Sequence, residues 1–378
     1  MNRFMENKHS KIAIIIGTKA ELIKCMPIML ELQKQNKDYW FIHTGQHSLG
    51  KACETFSIKK PDFVLSKEPD RSTKFWSKIN QNSILWFLSM ILKIRRLVNK
   101  IKPVYVLYHG DTMSTASAAI GSSKIFSARK TWKNVHLEAG LRSGSWFEPF
   151  PEEISRQISD FFSDILLAVS DLTERNLQKY KGRKKIINFG NTIIDSSLIS
   201  HNIGKKKHKK IRGNYALINI HRHENINNEK RLKSIVHILK SIKINAIWPI
   251  HANTARAIEK FRLVSEIKGM KNIKITSLMD YPEFIFLLAN CKYLITDGGS
   301  IQEESLVFGK PCIILREKIE RQEGLTTGIN FLTNINVKKT KKIIEDIEAG
   351  KIKHPKFSNP YGEKGLSKNI VRMLTQHM

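Results

Sequence analysis

Apolar positions along the chain fall into two alternating patterns. Short, mainly apolar runs at 11–17, 40–44, 104–108, 135–137 and 165–169 predict buried strands. Between them, 21–34, 115–128 and 153–162 carry helical spacing. A strand without polar alternation is buried on both faces, as in a parallel sheet covered by helices. The pattern restarts after a basic stretch at 205–213, which reads as a linker or exposed loop. Strands are predicted at 215–220, 246–250, 273–275, 293–296 and 311–315, and helices at 229–241, 254–261, 281–289 and 301–308. The expected fold class is α/β, with two Rossmann-like doubly wound domains. The expected domains are 1–194 and 195–361, with a helix at 362–378 packing back on the first. Tandem domains of this kind bind ligands at the carboxyl ends of their strands, in an interdomain cleft.

Polar residues gather at those strand ends. Asp297-Gly298-Gly299-Ser300 follows the strand at 293–296 and precedes a helix carrying Glu303 and Glu304. Glycines let the backbone approach a ligand, and a helix start offers unpaired N–H groups to an anion. Glu303 and Glu304, about a turn further on, suit a ribose diol better than a phosphate. The stretch therefore reads as a nucleotide cradle, against the plainer reading of a capped helix after a strand. Gly17, Thr18, Lys19, Glu21 and Lys24 follow the first strand. His109 to Thr112 and Glu138 to Arg142 follow two others, and Glu152 with Glu153 opens a helix. In the second half, His221 to Glu224 and His251 to Asn253 also follow strands. Any one of these could be a cap or a local ion pair; their common placement favours a site.

The side chains in these positions suit proton transfer. Asp111, Glu138 and Glu152 would bring three carboxylates to one cleft, where one can hold a proton while another acts as base. That arrangement fits a proton taken from carbon on one face of a sugar and returned on the other. His221 can donate to a leaving phosphate. A metal at His221, His223 and Glu224 is disfavoured, because no H-E-x-x-H pattern or cysteine set completes it.

Charge sharpens this picture without changing it. The chain has 64 Lys and Arg against 34 Asp and Glu, a net charge of +30, which fits an anionic partner. The lysines are spread along the chain and no aromatic–basic motif of nucleic-acid readers appears, so no nucleic-acid partner is expected. Cys25, Cys53, Cys291 and Cys312 form no C-x-x-C pair and read as reduced core thiols of a cytoplasmic protein. Residues 1–10 are polar and carry no apolar signal region. The longest apolar run, 84–92, is too short to span a bilayer, so no stable membrane insertion is expected. Basic residues follow it, but burial against its own domain or a second subunit is favoured over a membrane surface.

With those residues in hand, the chain resembles the UDP-N-acetylglucosamine 2-epimerase family, non-hydrolysing branch, over nearly its whole length. The resemblance rests on Gly17 to Glu21, Thr44 to His47, His109 to Thr112, His136 to Arg142, Pro151 to Glu153, Gly190 to Thr192, His221 to Asn225, Pro249 to His251, Asp297 to Glu304, Gly309 to Pro311, Glu320-Arg321 and Asn359 to Gly362. It implies two Rossmann-like domains in the glycosyltransferase-B arrangement, a UDP-sugar substrate and a homodimer, with neither nicotinamide nor metal cofactor. It implies interconversion of UDP-N-acetylglucosamine and UDP-N-acetylmannosamine through a bound glycal. Asp111, Glu138 and Glu152 match the family's acid/base carboxylates and His221 its histidine. Gly298, Gly299 and Ser300 match the diphosphate loop, Glu304 the ribose carboxylate and Phe284 the uracil contact. Lys19, Lys24 and Arg321 fall where basic groups meet phosphate. Gln46, Arg222 and His251 match positions that hold a second, activating UDP-sugar in some bacterial members.

The chain departs from the family pattern at several points. Lys19-Ala20 stands where Arg-Pro is usual, keeping the charge but losing the bidentate fork. The order Gly298-Gly299-Ser300 moves a hydroxyl, His223 replaces a common Arg, and Leu49 stands where activated members carry a polar residue. A hydrolysing relative that releases N-acetylmannosamine, an epimerase of a related UDP-2-acetamido sugar and a glycosyltransferase of the same fold are the alternative readings. A UDP-sugar binding protein without activity is a weaker fourth. Three acids at the sugar are not needed by a transferase.

Overall fold

The computed structural model describes residues 11–67, 81–126, 130–144, 151–352 and 357–376. The sequence expectations at 1–10, 127–128, Phe150 and 377–378 lie outside the described residues. The chain divides into two compact units: Met1–Ser196 together with Tyr361–Met378, and Ser197–Pro360.

The first unit is built on seven parallel strands: β1 Ile12–Ile16, β2 Tyr39–His43, β3 Phe63–Val64, β4 Tyr105–His109, β5 Lys133–Ala139, β6 Ile165–Ala168 and β7 Lys185–Asn188, in the order β3-β2-β1-β4-β5-β6-β7. Strands β1, β2 and β4 are buried throughout, in keeping with their mainly apolar sequences. One face packs Ala13, Ile15, Ile42 and Val106 against Met90, Ile94 and Val98 of the helix Gln81–Ile101. That helix leaves Ile84, Leu85, Leu88 and Leu92 exposed, so only part of the apolar run at 84–92 is buried against its own unit.

The second unit repeats the plan with six parallel strands: β8 Tyr215–Asn219, β9 Asn245–Pro249, β10 Ile273–Thr276, β11 Tyr293–Thr296, β12 Cys312–Ile314 and β13 Asn330–Leu332, ordered β10-β9-β8-β11-β12-β13. Its core gathers Ile218, Trp248, Ile295 and Ile313 on one face of the sheet, and Leu217, Leu294, Cys312 and Ile314 on the other. In both units the strand order reverses beside the first strand, between β1 and β4 and between β8 and β11. A doubly wound sheet opens a crevice at that switch point.

Several boundaries differ from the sequence expectation. The helix expected at 115–128 is Met113–Gly121. It starts earlier because Thr112 caps it, accepting from the Thr115 N–H. At its end, the Ser122 and Ser123 hydroxyls turn back to the Ala118 and Ile120 carbonyls. The stretch 205–213 is not wholly a loop, since the helix Ile193–Lys207 runs into it and Lys205, Lys206 and Lys207 form its last turn. Cations there complement the negative end of the helix dipole. All four cysteines are free and buried. No helix among the described residues is long and apolar enough to cross a membrane.

Candidate functional site

In the first unit, the switch point is organised by Glu21. Gly17-Thr18 ends β1 and the helix Lys19–Lys34 follows, with Thr18 as its N-cap. Glu21 closes the capping box: its Oε2 accepts from the Gly17 and Thr18 N–H groups at 2.6 and 2.7 Å. Its Oε1 reaches across to the loop after β4, accepting from the Thr112 hydroxyl and from Thr115 Oγ1 at 2.9 Å. One buried carboxylate therefore fixes the two loops flanking the crevice. Lys19 opens the helix and is exposed. Gln46 joins the same edge, its Oε1 accepting from Ser114 Oγ at 2.7 Å.

Glu138 sits inside β5 rather than after it. The register against β6 shifts between Leu137 and Ala139, and Glu138 takes a left-handed φ of 63°. A non-glycine residue there is strained, and such strain persists only where surrounding contacts enforce it. The carboxylate is buried and ion-paired with Lys24. Asn191 Nδ2 donates to its Oε2 at 3.2 Å, and His109 Nε2 stands 3.5 Å from the same oxygen. Lys24, expected to meet phosphate, is thus the buried partner of Glu138.

Asp111 accepts from Arg156 Nη2 at 2.5 Å, and Arg156 also pairs with Glu153 at 3.0 Å. Arg156 belongs to the helix Glu152–Phe162, so the helix that Glu152 opens is fastened to the Asp111 loop. Below that loop, His136 bridges Asp160 Oδ1 at 2.8 Å and the Gly110 carbonyl at 2.9 Å. Burial alone would raise the Asp160 pKa, but contacts with His136 and Arg142 outweigh it and hold the carboxyl below its usual value. The structure therefore gives Asp111 and Glu138 each its own cation, a feature that the count of carboxylates does not convey.

In the second unit, Asp297 plays the organising part. It is fully buried at the end of β11. Its oxygens accept from the His221 N–H at 3.0 Å, the Arg222 N–H at 3.1 Å and Asn225 Nδ2 at 3.0 Å. His221 Nδ1 lies 3.6 Å from Asp297 Oδ1, and its ring stands 6.2 Å from that of His251. His251 caps the helix Ala252–Lys260, with Nδ1 accepting from the Asn253 N–H at 3.1 Å. Burial, then the neighbouring His221, Arg256 and His223, lowers its pKa. Arg222 Nε pairs with Glu224 at 3.2 Å. Among the described residues, no group of three His, Cys, Asp or Glu side chains is placed to hold a metal ion.

The glycine loop lies beside this segment. The Gly298 N–H bonds to Thr296 Oγ1 at 2.9 Å, and the Gly298 carbonyl accepts from Gln302 Nε2 at 2.7 Å. A Cβ on Gly299 would lie 3.1 Å from Arg321 Nη1, so the guanidinium presses against the bare backbone. Arg321 is held by Glu303 at 3.1 Å and Glu320 at 2.8 Å. Glu320 also takes Arg316 at 3.0 Å, and Arg316 lies 3.5 Å from Glu224. Glu304, in the helix Ile301–Val307, accepts from the Tyr281 hydroxyl at 3.0 Å. Burial, and then this carboxylate, pushes the Tyr281 phenol well up. Phe284 is partly buried against the same core as Ile285 and Leu288.

The candidate side chains stand out in the sequence, but the groups that hold them do not. The Thr18–Glu21 spacing is a visible capping-box signal. Arg156, Asp160 and Asn191 act through partners distant in sequence, and no periodicity marks such pairs.

Two parallel sheets in an α/β architecture, each with polar side chains gathered at its switch point, define a doubly wound protein. Over residues 30–375 the chain matches the family described as UDP-N-acetylglucosamine 2-epimerase, and it belongs to that family. It is 33% identical to the UDP-N-acetylglucosamine 2-epimerase of Methanocaldococcus jannaschii, covering 97% of this chain and 99% of that protein. A crystal structure of the M. jannaschii UDP-GlcNAc 2-epimerase in complex with UDP-GlcNAc and UDP matches with a TM-score of 0.79 at 33% identity, covering 97% of this chain and 99% of that one. The UDP-2,3-diacetamido-2,3-dideoxy-D-glucuronate 2-epimerase of Pseudomonas aeruginosa is 31% identical, over 85% of this chain and 88% of that protein.

Proposed function

We propose that this protein interconverts UDP-N-acetylglucosamine and UDP-N-acetylmannosamine without consuming water. The second unit holds the nucleotide: Gly298, Gly299, Ser300 and Arg321 take the diphosphate, Glu304 the ribose and Phe284 the uracil. In the first unit, Asp111, Glu138 and Glu152 move the C2 proton. One carboxylate removes that proton, the C–H electron pair becomes the C1–C2 double bond, and the C1–O bond breaks with its electrons on UDP. A second group returns a proton to C2 on the opposite face, and UDP adds back at C1. His221 stabilises the leaving diphosphate. No atom is gained or lost overall, and these steps, proton transfers and a heterolytic C–O cleavage, call on no redox or metal cofactor.

The observation that carries this reading is Glu138. A buried carboxylate forced into a left-handed backbone, with an ammonium and a neutral amide on one oxygen, is costly to build and serves proton transfer well. Incubation with UDP-N-acetylglucosamine in deuterated water, followed by NMR, tests it. The expected result is a mixture of both epimers carrying deuterium at C2. Accumulation of free sugar with UDP would identify the hydrolysing reaction instead. The Pseudomonas relative supports a second reading, in which the same steps act on a UDP-2-acetamido sugar with other ring substituents. A panel of such sugars, compared by kcat/KM, decides between the two. Further proposals are that the protein works as a homodimer in the cytoplasm, without nucleic acid, and that Gln46, Arg222 and His251 take part in binding a second UDP-sugar.

A further inference from the structure

We propose that Asn191 is a positioning residue for the Glu138 carboxylate, built into the segment where the chain leaves its first unit. The proposal rests on the reading of Glu138 as an acid/base group. Asn191 is buried, and three of its hydrogen bonds bear on Glu138. Its main-chain N–H donates to the Tyr361 carbonyl at 2.9 Å, where the chain re-enters the first unit. Its Oδ1 accepts from the Ile193 N–H at 3.0 Å, at the start of the helix Ile193–Lys207. Its Nδ2 donates to Glu138 Oε2 at 3.2 Å. The second contact fixes the third: flipping the amide would turn its oxygen onto a carboxylate and its NH₂ onto an N–H. Gly190 makes room for this arrangement, since a Cβ there would lie 2.3 Å from the Tyr361 carbonyl oxygen.

Glu138 needs such a partner. Its left-handed backbone removes it from the regular strand, so the strand does not aim its side chain. Lys24 on the helix Lys19–Lys34 pairs with its Oε2, His109 at the end of β4 stands 3.5 Å from the same oxygen, and Cys25 lies near; all three can carry a proton. Asn191 brings an amide donor to this carboxylate. It can orient the carboxylate without competing for the proton that the carboxylate must carry.

Two variants test this in the full-length chain. Asn191→Ser keeps an acceptor for the Ile193 N–H and loses the amide donor. Asn191→Asp keeps the acceptor and sets a second carboxylate oxygen against Glu138. With UDP-N-acetylglucosamine, Asn191→Ser should lower kcat by about 10- to 100-fold, the worth of a hydrogen bond to a charged group, with KM little changed. Asn191→Asp should lose more and move the acid limb of the pH–rate profile upward, because like charges favour the protonated form. In a Glu138→Gln background, Asn191→Ser should cost little further, whereas a purely structural role would cost the same in both. Carboxyl carbon NMR of glutamate-labelled protein, with Glu138 assigned by its Gln variant, gives a readout independent of turnover. The Glu138 resonance should titrate at higher pH in Asn191→Asp. An unmoved titration, or equal losses in the two backgrounds, would overturn the proposal. An inactive unaltered chain counts against the epimerase reading, and the NMR titration still decides the role of Asn191.

Discussion

The two units share one strand order and use it differently. At the switch point of the first, two carboxylates, the buried Glu138 and the partly exposed Asp111, are each matched to a cation, Lys24 and Arg156. At the switch point of the second, one buried carboxylate, Asp297, spends its hydrogen bonds on the backbone of the His221 segment, beside a loop of bare glycines and a clamped arginine. The first arrangement suits moving a proton and the second suits holding an anion. The doubly wound sheet supplies only the place; the side chains at and just beyond the strand ends make the difference.

The most severe test of this contrast is Glu138→Gln. It should lower turnover by about 10²–10⁴-fold, the usual worth of an acid/base group, while UDP binds as before. Steady-state rates and calorimetry with UDP check both halves. Equal losses in turnover and UDP affinity would erase the distinction between the units. Next in size is Asp297→Ala. It strips a buried acceptor from three donors, so the second unit should lose about 2–3 kcal/mol of stability, read by denaturant unfolding. The first unit's melting should hold, which proteolysis with mass spectrometry resolves.

Glu304→Ala should weaken UDP by about 1–3 kcal/mol through a lost charge-assisted hydrogen bond, and leave kcat at saturation within a few-fold. A collapse of kcat with unchanged UDP affinity would place proton chemistry in the second unit. The smallest effect is kinetic. With a net charge of +30, capture of the anionic nucleotide should slow as salt rises, while dissociation changes less. Stopped-flow association at several ionic strengths reads the slope, and a flat dependence would mean that the spread lysines steer nothing.

The alternation of strands and helices was legible because burial on both faces leaves a mainly apolar run, as in β1, β2 and β4. Candidate residues could be picked out because a parallel sheet delivers its loops to one edge: Asp111, His221 and Gly298 follow strands, whereas Glu138, expected to follow one, lies inside β5. Boundaries were less so. The extent of the helix Met113–Gly121 depends on a threonine cap and two back-bonding serines, which compete on nearly equal terms with one more turn. The helix Ile193–Lys207 absorbs lysines that by composition alone read as loop.

Local interactions can be read from spacing, because their partners are three or four residues away; the capping box of Thr18 and Glu21 is one such case. The identity of each charge's partner cannot. Lys24 and Glu138 are 114 positions apart, and their pairing arises only when β1 and β5 are brought to one crevice by the strand order. The bulge that turns Glu138 out of its strand depends on the register against β6, a property of two strands together. The sequence by itself determined which residues could move a proton or hold a phosphate. Tertiary structure decided which of them are neutralised, which are aimed and which are fastened, because those depend on distances between segments that only the folded sheets set.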